Sequence, residues 1–504
     1  MRKGKNSRCW KALIGQRRIR GAVVGWADGK GNRNFLIAIS NFELPPDQGS
    51  QIALYSPSAA PRSLPAGKAS LGPMAVADVD GDGDLDLFVG GRVHPGRYPE
   101  PVSSTLWLNE QGALRPSPSL SEPFQSVGMV SGATFSDLDG DGDPDLALAL
   151  EWGPVRVFRN QHGHFKEMTG PWGFAVRTGL WTSVASGDFD GDGKMDLAVG
   201  NWGRNSMYEL HRPGPLRVYY LDGNDAATLD LMEAWRHHDA WFPIRNRLWF
   251  APSWPDLQER FPTHAAYGRA TVPDLLGARF SKAKMLEATE LESGVFLNRG
   301  SHFDWVPLPL EAQLAPVFSI NVGDFDGDGI EDLFLSQNFF ETASDYSRED
   351  AGRGLWLRGT GRGTFTAADT SITGIEVYGE QRGAALADFN HDGRVDLAVS
   401  QNNGATKLYV NQRAKRGLRV VLNGPSANPD AVGAHLRVLY AGGRAGPCRA
   451  VQAGSGYWSQ DGATQVLGLA EIGARPEGLW IRWPGGKEQT VPLADQRWDL
   501  RVNF

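Results

Sequence analysis

Five stretches of the chain place acidic residues at alternate positions around glycine: DVDGDGDLDL from Asp78, DLDGDGDPDL from Asp137, DFDGDGKMDL from Asp188, DFDGDGIEDL from Asp324 and DFNHDGRVDL from Asp388. Like charges this close are costly unless something positive neutralises them. Side-chain oxygens at positions 1, 3, 5 and 9, a backbone carbonyl at 7 and a glycine at 6 for the sharp reversal build an oxygen cage like the front of an EF-hand loop. Hard oxygen donors in that number suit Ca²⁺, whereas Mg²⁺ demands stricter octahedral geometry. The spacing therefore points to metal binding.

The candidate ligands in the first loop are Asp78, Asp80, Asp82 and Asp86, with the carbonyl of Asp84. In the next three they are Asp137, Asp139, Asp141 and Asp145 with Asp143; Asp188, Asp190, Asp192 and Asp196 with Lys194; and Asp324, Asp326, Asp328 and Asp332 with Ile330. In the fifth they are Asp388, Asn390, Asp392 and Asp396 with Arg394. Position 7 shares no side-chain chemistry, which fits a backbone role. Asn390 replaces a carboxylate with a neutral oxygen, so the fifth of up to five calcium sites is expected to be the weakest. Position 12 carries Val89, Leu148, Val199, Leu335 and Val399 where an EF-hand has its bidentate Glu, and strand follows instead of helix, so a true EF-hand is excluded. A solvated acidic turn without metal is the competing reading, and five copies with glycine fixed at position 6 weigh against it.

A worn copy precedes these in GWADGKGNRNF, with Trp26 at position 1, Asp28 at 3, Lys30 at 5 and Asn34 at 9. There the Lys30 ammonium is expected to supply the positive charge internally.

These loops need rigid elements on both sides. Each full copy follows a run of small apolar residues, such as GPMAVA or SGATFS, and precedes a leucine- or valine-rich run such as LFVGG or LALAL. An aromatic strand with an Asn-containing turn comes next, as in LWLNEQG and VFLNRGSHF. Three or four short strands per unit cannot bury both faces of a sheet alone, and radial repetition solves this. The expected fold is all-β, a β-propeller over residues 21–412. The interval between Asp188 and Asp324 is about two units long, so six motif-like units and an interrupted one give seven blades, whereas an insert that replaces a blade gives six.

The units resemble FG-GAP (VCBS-type) repeats, calcium-bearing propeller blades. Residues 413–504 alternate apolar and polar residues between Gly and Pro turns, as a small antiparallel β domain does. They resemble the ASPIC/UnbV domain found after such repeats, through Gly433 and Ala434, Gly454-Ser455-Gly456-Tyr457 with Ser459 and Gln460, and Trp483-Pro484 with Gly486 and Lys487. The resemblance implies an extracellular or cell-envelope module that binds a protein or a glycan, with no catalytic residues to carry over. Tyr457, Trp458 and Lys487 are candidate exposed contacts, against a packing role for the aromatics.

From about residue 230 to 292 the strand rhythm stops, and short helices and loops rich in Trp are expected. His237, His238 and Asp239 invite a metal or acid–base reading, but adjacent histidines on a helix diverge and no second carboxylate stands at useful spacing. Trp235, Trp241, Trp249 and Trp254 offer a sugar-stacking platform, with helix-to-blade packing as the favoured alternative. A propeller enzyme, lyase or hydrolase, acting on polysaccharide in a cleft under this insert is the rival to a non-enzymatic binding module.

Composition narrows the classes. With 41% hydrophobic residues and 17 Trp the chain is too apolar for disorder, and a formal charge of -7 without a dense basic stripe in its body argues against nucleic acid. No segment has the roughly twenty apolar residues of a spanning helix. Residues 1–20 form a basic N-terminal segment, expected to be disordered, and lack the apolar run of a secretory signal. Cys9 and Cys448 admit at most one bridge, which nothing in the sequence supports.

Overall fold

The first strand of each repeat uses small residues because two neighbouring strands press against it. Ser70–Ala77 and Met129–Ser136 are buried along their whole length. A Cβ on Gly132 would stand 2.8 Å from the Cα of Ser183 in the next repeat. The computed structural model describes residues 21–42, 48–56, 59–209, 214–223, 228–250, 252–469, 475–493 and 498–504. Residues 1–20, with Cys9, lie outside them, and Cys448 is free and buried.

Among the described residues six repeat sheets follow one another, each an antiparallel meander. Sheet one runs Val23–Ala27, Arg33–Ile39, Ser50–Tyr55, Arg62–Gly67, and sheet two Ser70–Ala77, Asp86–Val93, Thr105–Glu110, Ala113–Pro116. Sheet three runs Met129–Ser136, Asp145–Pro154, Arg156–Arg159, Lys166–Glu167, with Thr178–Leu180 added on the far end of its second strand. Sheet four is Ser183–Gly187, Asp196–Gly200, Gly294–Asn298, Phe303–Pro307, and sheet five Val317–Gly323, Asp332–Gln337, Leu355–Gly359, Phe365–Ala367. Sheet six has Glu380–Ala387, Asp396–Asn402 and Gly404–Tyr409. In sheets two to six the acidic loop joins the first strand to the second.

The apolar cores lie between sheets. Phe88 and Leu106 of sheet two meet Phe135, Leu148 and Phe158 of sheet three around Phe124, whose ring stands edge-on to Phe88 at 5.4 Å and to Phe158 at 5.0 Å. Equivalent clusters separate sheets three and four, four and five, and five and six. A sheet buried on both faces cannot stand alone, which is why the unit repeats.

The long interval holds a split sheet. Sheet four's second and third strands, Asp196–Gly200 and Gly294–Asn298, pair directly, and the insert leaves between them. The insert differs from the expected helices and loops: Leu216–Asp222, Leu229–His237, Ala240–Pro243 and Lys284–Ala288 form a four-stranded sheet of their own, packed against short helices Arg247–Phe250, Asp256–Arg260, His264–Arg269 and Val272–Leu276. LDLMEAWRH reads as helix by composition, yet Met232 and Ala234 alternate inward as a strand requires.

The tail forms two small sheets around one core. In one, Leu418–Asn423 lies between Gln465–Leu467 and Asp499–Asn503. The last pair is parallel, where an antiparallel arrangement was expected. In the other, His435–Tyr440 pairs with Pro476–Arg482, which pairs with Glu488–Pro492.

Candidate metal centres

Within each loop the carboxylates are held by backbone N–H groups. Asp78 accepts from Gly81 at 2.9 Å on Oδ1 and from Gly83 at 3.0 Å on Oδ2, a nest made by consecutive turns. Asp82 Oδ1 accepts from the Asp84 amide at 2.8 Å. Position 6 needs glycine because its φ is positive: 91° at Gly83 and 93° at Gly193. In the fifth loop His391 occupies the position-4 glycine site at φ 61°, a conformation that costs a side chain energy.

The position-9 carboxylate ties the loop to the sheet. Asp86 accepts from Val79 inside the loop at 3.0 Å and from Asn109 on the third strand at 2.8 Å. Asp145 does the same with Leu138 and Asn160, Asp196 with Phe189 and Asn298, Asp332 with Phe325 and Gly359, and Asp396 with Phe389 and Asn411.

Four of the five loops bring positions 1, 3 and 9 together. In Asp78/Asp80/Asp86, Asp137/Asp139/Asp145, Asp188/Asp190/Asp196 and Asp324/Asp326/Asp332, one carboxylate oxygen from each residue lies within 4.8 Å of the others. Burial pushes Asp86 and Asp196 up to about 8, Asp324 to about 7, and Asp78 and Asp188 to about 6, and the neighbouring carboxylates add to each rise. Burial also raises Asp145 and Asp332 well above the carboxyl range. Negative charge compressed to this degree fits a divalent cation with oxygen donors.

Guanidiniums reach the same loops from outside. Arginines on or just past the third strands pair with positions 3 and 5: Arg159 with Asp139 at 2.5 Å and Asp141 at 3.2 Å, Arg299 with Asp190 at 2.6 Å, and Arg358 with Asp326 at 2.7 Å and Asp328 at 2.9 Å. Among the described residues the first loop has no such ion pair. In the fifth loop a buried Arg419 Nε sits 3.0 Å from Asp388 Oδ2 and Arg394 pairs with Asp392 at 3.2 Å, and Asn390 leaves one carboxylate fewer at position 3. In the worn copy Lys30 is exposed, and Asp28 is held by the amides of Lys30 and Asn32 and by Asn32 Nδ2 rather than by an ammonium.

The tail lies across these loops. Arg482 pairs with Asp137, the Cys448 amide donates to Asp188 Oδ2 at 2.8 Å, and Arg437 lies against Gly193. Arg449 pairs with Glu331 at 2.5 Å, beside Asp324. Between Gln452 and Gly462 the tail then touches the first strand of every repeat sheet: Gln452 donates to Ser186 Oγ, Ala453 bridges Val76, the Trp458 indole donates to the Ser131 carbonyl at 2.9 Å, and the Tyr457 amide donates to Ser319 Oγ at 3.0 Å. Sheets one and six are reached by Gln460 and Asp461. Tyr457 and Trp458 are thus turned into the repeats, rings stacked at 4.9 Å and 7°, instead of standing exposed. Lys487 is exposed, over the Phe504 ring at 4.3 Å.

The insert residues do not form a site. His237 and His238 lie at a hairpin turn, and Asp239, fully exposed, faces Arg236 at 3.4 Å. Trp254 stacks on Phe250 at 5.4 Å and donates to Asp230, Trp241 carries Arg217 on its face at 3.9 Å, and Trp235 is half-buried against the repeats, which leaves Trp249 as the exposed ring of the four.

One set of residues was not visible as more than turns. Asn160 Nδ2 donates to the Val79 carbonyl at 2.9 Å, Asn298 Nδ2 to Leu138 at 2.7 Å and Asn411 Nδ2 to Phe325 at 2.8 Å. Each thereby staples its own sheet to the acidic loop of the sheet before. The recurring Asn after the aromatic third strand is the signal that marks them.

Comparison with known proteins agrees with these two parts. Residues 78–148 and 137–199 match the FG-GAP-like repeat, and residues 424–502 match ASPIC and UnbV. Cartilage acidic protein 1 of Xenopus tropicalis is 23% identical over 300 residues, and that of Mus musculus 24% over 327, each match covering 57% of this chain. The matches span 42% of those relatives' length. Among solved structures, BBS1N in complex with ARL6DN aligns at 9% identity and a TM-score of 0.33, over 80% of this chain and 95% of that one. The chain carries FG-GAP-like repeats followed by an ASPIC and UnbV domain.

Proposed function

We propose that residues 21–412 form a ring of six sheets stabilised by calcium and that residues 413–504 are a docked domain, the whole acting outside the cell as a module that binds a protein or a glycan without catalysing a reaction. The observation that carries the metal half is the convergence of positions 1, 3 and 9 in four separate loops. In this reading Asp78, Asp80 and Asp86, with their counterparts in the next three loops, hold the ion, position 5 and the position-7 carbonyl complete the cage, and calcium supplies the charge that lets these carboxylates stay ionised while buried. The fifth loop, with Arg419 on Asp388, is the weakest.

The extracellular placement is supported by relatives named for cartilage, and calcium sites of low ligand count suit millimolar extracellular calcium, on the order of 10⁻³ M. The test of the metal half is thermal unfolding of the chelated protein with and without added calcium: a rise of several degrees in melting temperature supports it, and an unchanged transition sinks it. Screening against glycan and extracellular-protein arrays tests the binding half.

A further inference from the structure

Sheets two to five each add a fourth strand antiparallel to the third, and each sets a buried apolar residue at or beside the start of that strand. Leu114 stands opposite Asn109, Phe303 opposite Asn298 and Phe365 opposite Gly359, while Phe165 just precedes Lys166 in sheet three. In sheets three to five this ring belongs with position 2 of the acidic loop one sheet earlier. Phe365 is edge-on to Phe189 at 5.6 Å, Phe303 shares a core with Leu138, and Phe165 shares one with Val79.

Sheet six departs from this plan. Its chain turns from the third strand, Gly404–Tyr409, straight into the tail strand Leu418–Asn423, so among the described residues nothing pairs with the outer edge of Gly404–Tyr409. That strand is exposed from Gly404 to Leu408. An open edge presents a row of N–H and C=O groups that an extended chain satisfies. Where the other sheets seat their apolar residue, beside the position-2 Phe325, lies a cavity of about 410 Å³ walled by Phe325, Trp356, Ile375, Val395, Leu397 and Tyr409. Its size is at the small end of ligand pockets and suits one aromatic side chain.

We propose that the outer edge of Gly404–Tyr409 receives, as a fourth strand, an extended acidic segment of a partner protein whose aromatic side chain enters this cavity. The proposal rests on the protein branch of the binding reading and names its site. The completed sheets set the geometry: the guest runs antiparallel to Gly404–Tyr409 with its aromatic residue opposite Asn411. Charge sets the composition. Lys407 Nζ donates to the Glu376 carbonyl at 2.8 Å and Arg413 Nη1 to the Ile372 carbonyl at 3.1 Å, both side chains are exposed, and among the described residues neither forms an ion pair. Asp326, at the rim, is already paired with Arg358 at 2.7 Å. Against the exposed Glu376 the two cations leave the groove net positive, which favours carboxylates beside the guest's aromatic residue and disfavours a basic segment.

The experiment is fluorescence anisotropy on the full chain in calcium with the labelled peptide Glu-Asp-Phe-Thr-Val-Thr-Glu. Its companions carry Ala for Phe, or alternate amides N-methylated in either phase, and a peptide copying residues 1–20 is the basic probe. The acidic peptide is expected to bind, tenfold or more weakly without the aromatic ring and in one phase of N-methylation. Charge reversal by Lys407→Glu with Arg413→Glu, both on the surface, is expected to weaken it several-fold, and melting in calcium checks that this variant is folded. Absence of binding, binding that survives loss of the ring or both N-methylated forms, indifference to the charge reversal, or tighter binding of the basic peptide overturns the proposal. Calcium-raised melting without peptide binding rejects this site while the metal-stabilised module stands. A protein captured on the array whose binding ignores the charge reversal rejects the site while the protein branch stands, and peptide binding without a calcium effect rejects the metal reading and keeps the site.

Discussion

Gln460 Oε1 accepts the backbone N–H of Gly25 at 2.6 Å across 435 residues of chain. Its neighbour Asp461 accepts the Leu386 amide at 2.7 Å and Asn321 Nδ2 at 2.9 Å, and Gly462 donates to the Leu386 carbonyl at 2.7 Å. Two adjacent tail residues therefore join sheet one to sheet six.

Breaking this join loosens the repeats, not only the tail. Asp461→Ala leaves the Leu386 amide and one of the two Asn321 Nδ2 protons without an acceptor, the other staying on the Ala384 carbonyl, a loss of about 1–3 kcal/mol for each unsatisfied group at most. Urea unfolding followed by tryptophan fluorescence checks this. A midpoint equal to that of the unaltered chain would show that the seam carries no stability.

The proposed calcium response carries a pH dependence of definite sign. Asp86 and Asp196 near 8, Asp324 near 7, and Asp78 and Asp188 near 6 each hold a proton more tightly folded than unfolded, where the ordinary value is 3.8. The folded metal-free chain binds the extra protons, so their contribution is fully present below the ordinary carboxyl range and is lost as pH rises through 6 to 8. Metal-free protein is expected to melt lower at pH 8 than at pH 5.5, and added calcium to raise melting more at pH 8. The two temperatures, each with chelator and with calcium, are the measurement.

Arg419 and Asp388 form a pair whose side chains are 8% and 0% exposed. Arg419→Ala strands a buried carboxylate and is expected to cost about 3–5 kcal/mol. Because the guanidinium stands at position 1 of the fifth loop, its removal should also make the variant's stability more calcium-dependent than that of the parent. Chelator titrations of both proteins compare the two effects; equal calcium dependence would mean that the guanidinium and a cation do not share that place.

The asparagine staples make a separable contribution. Asn160→Ala removes the bond to the Val79 carbonyl and the one from the Gly163 amide to Oδ1, both buried. A loss of about 1–3 kcal/mol is expected, seen as a lower urea midpoint at an unchanged slope, since no surface exposed on unfolding is altered.

The acidic loops and the strands beside them were legible because charge at alternate positions and small-residue runs are local signals that recur. The split of sheet four was not, since nothing in Asp196–Gly200 says that its partner waits beyond a folded insert. The insert's strand Leu229–His237 was hidden by helix-favouring residues that pairing with Leu216–Asp222 overrides. The docking of the tail was invisible for another reason. Arg419, Arg437, Arg449 and Arg482 have no common spacing and sit on separate strands, and only the folded tail gathers them over the loops. Tyr457 and Trp458 could be read either as exposed contacts or as packing aromatics, and the fold realises the packing reading because the Gly-rich turn enters the space among the first strands.

Gln452–Gly462 also sets a timetable. On a ribosome the sheets emerge in order and each can pack on the one before it, but the residues that fasten the earliest sheet to the latest appear only after all six have been made. Until then sheets one and six lack the residues that join them, so the arrival of this short tail segment is the step that fixes the two ends of the row together.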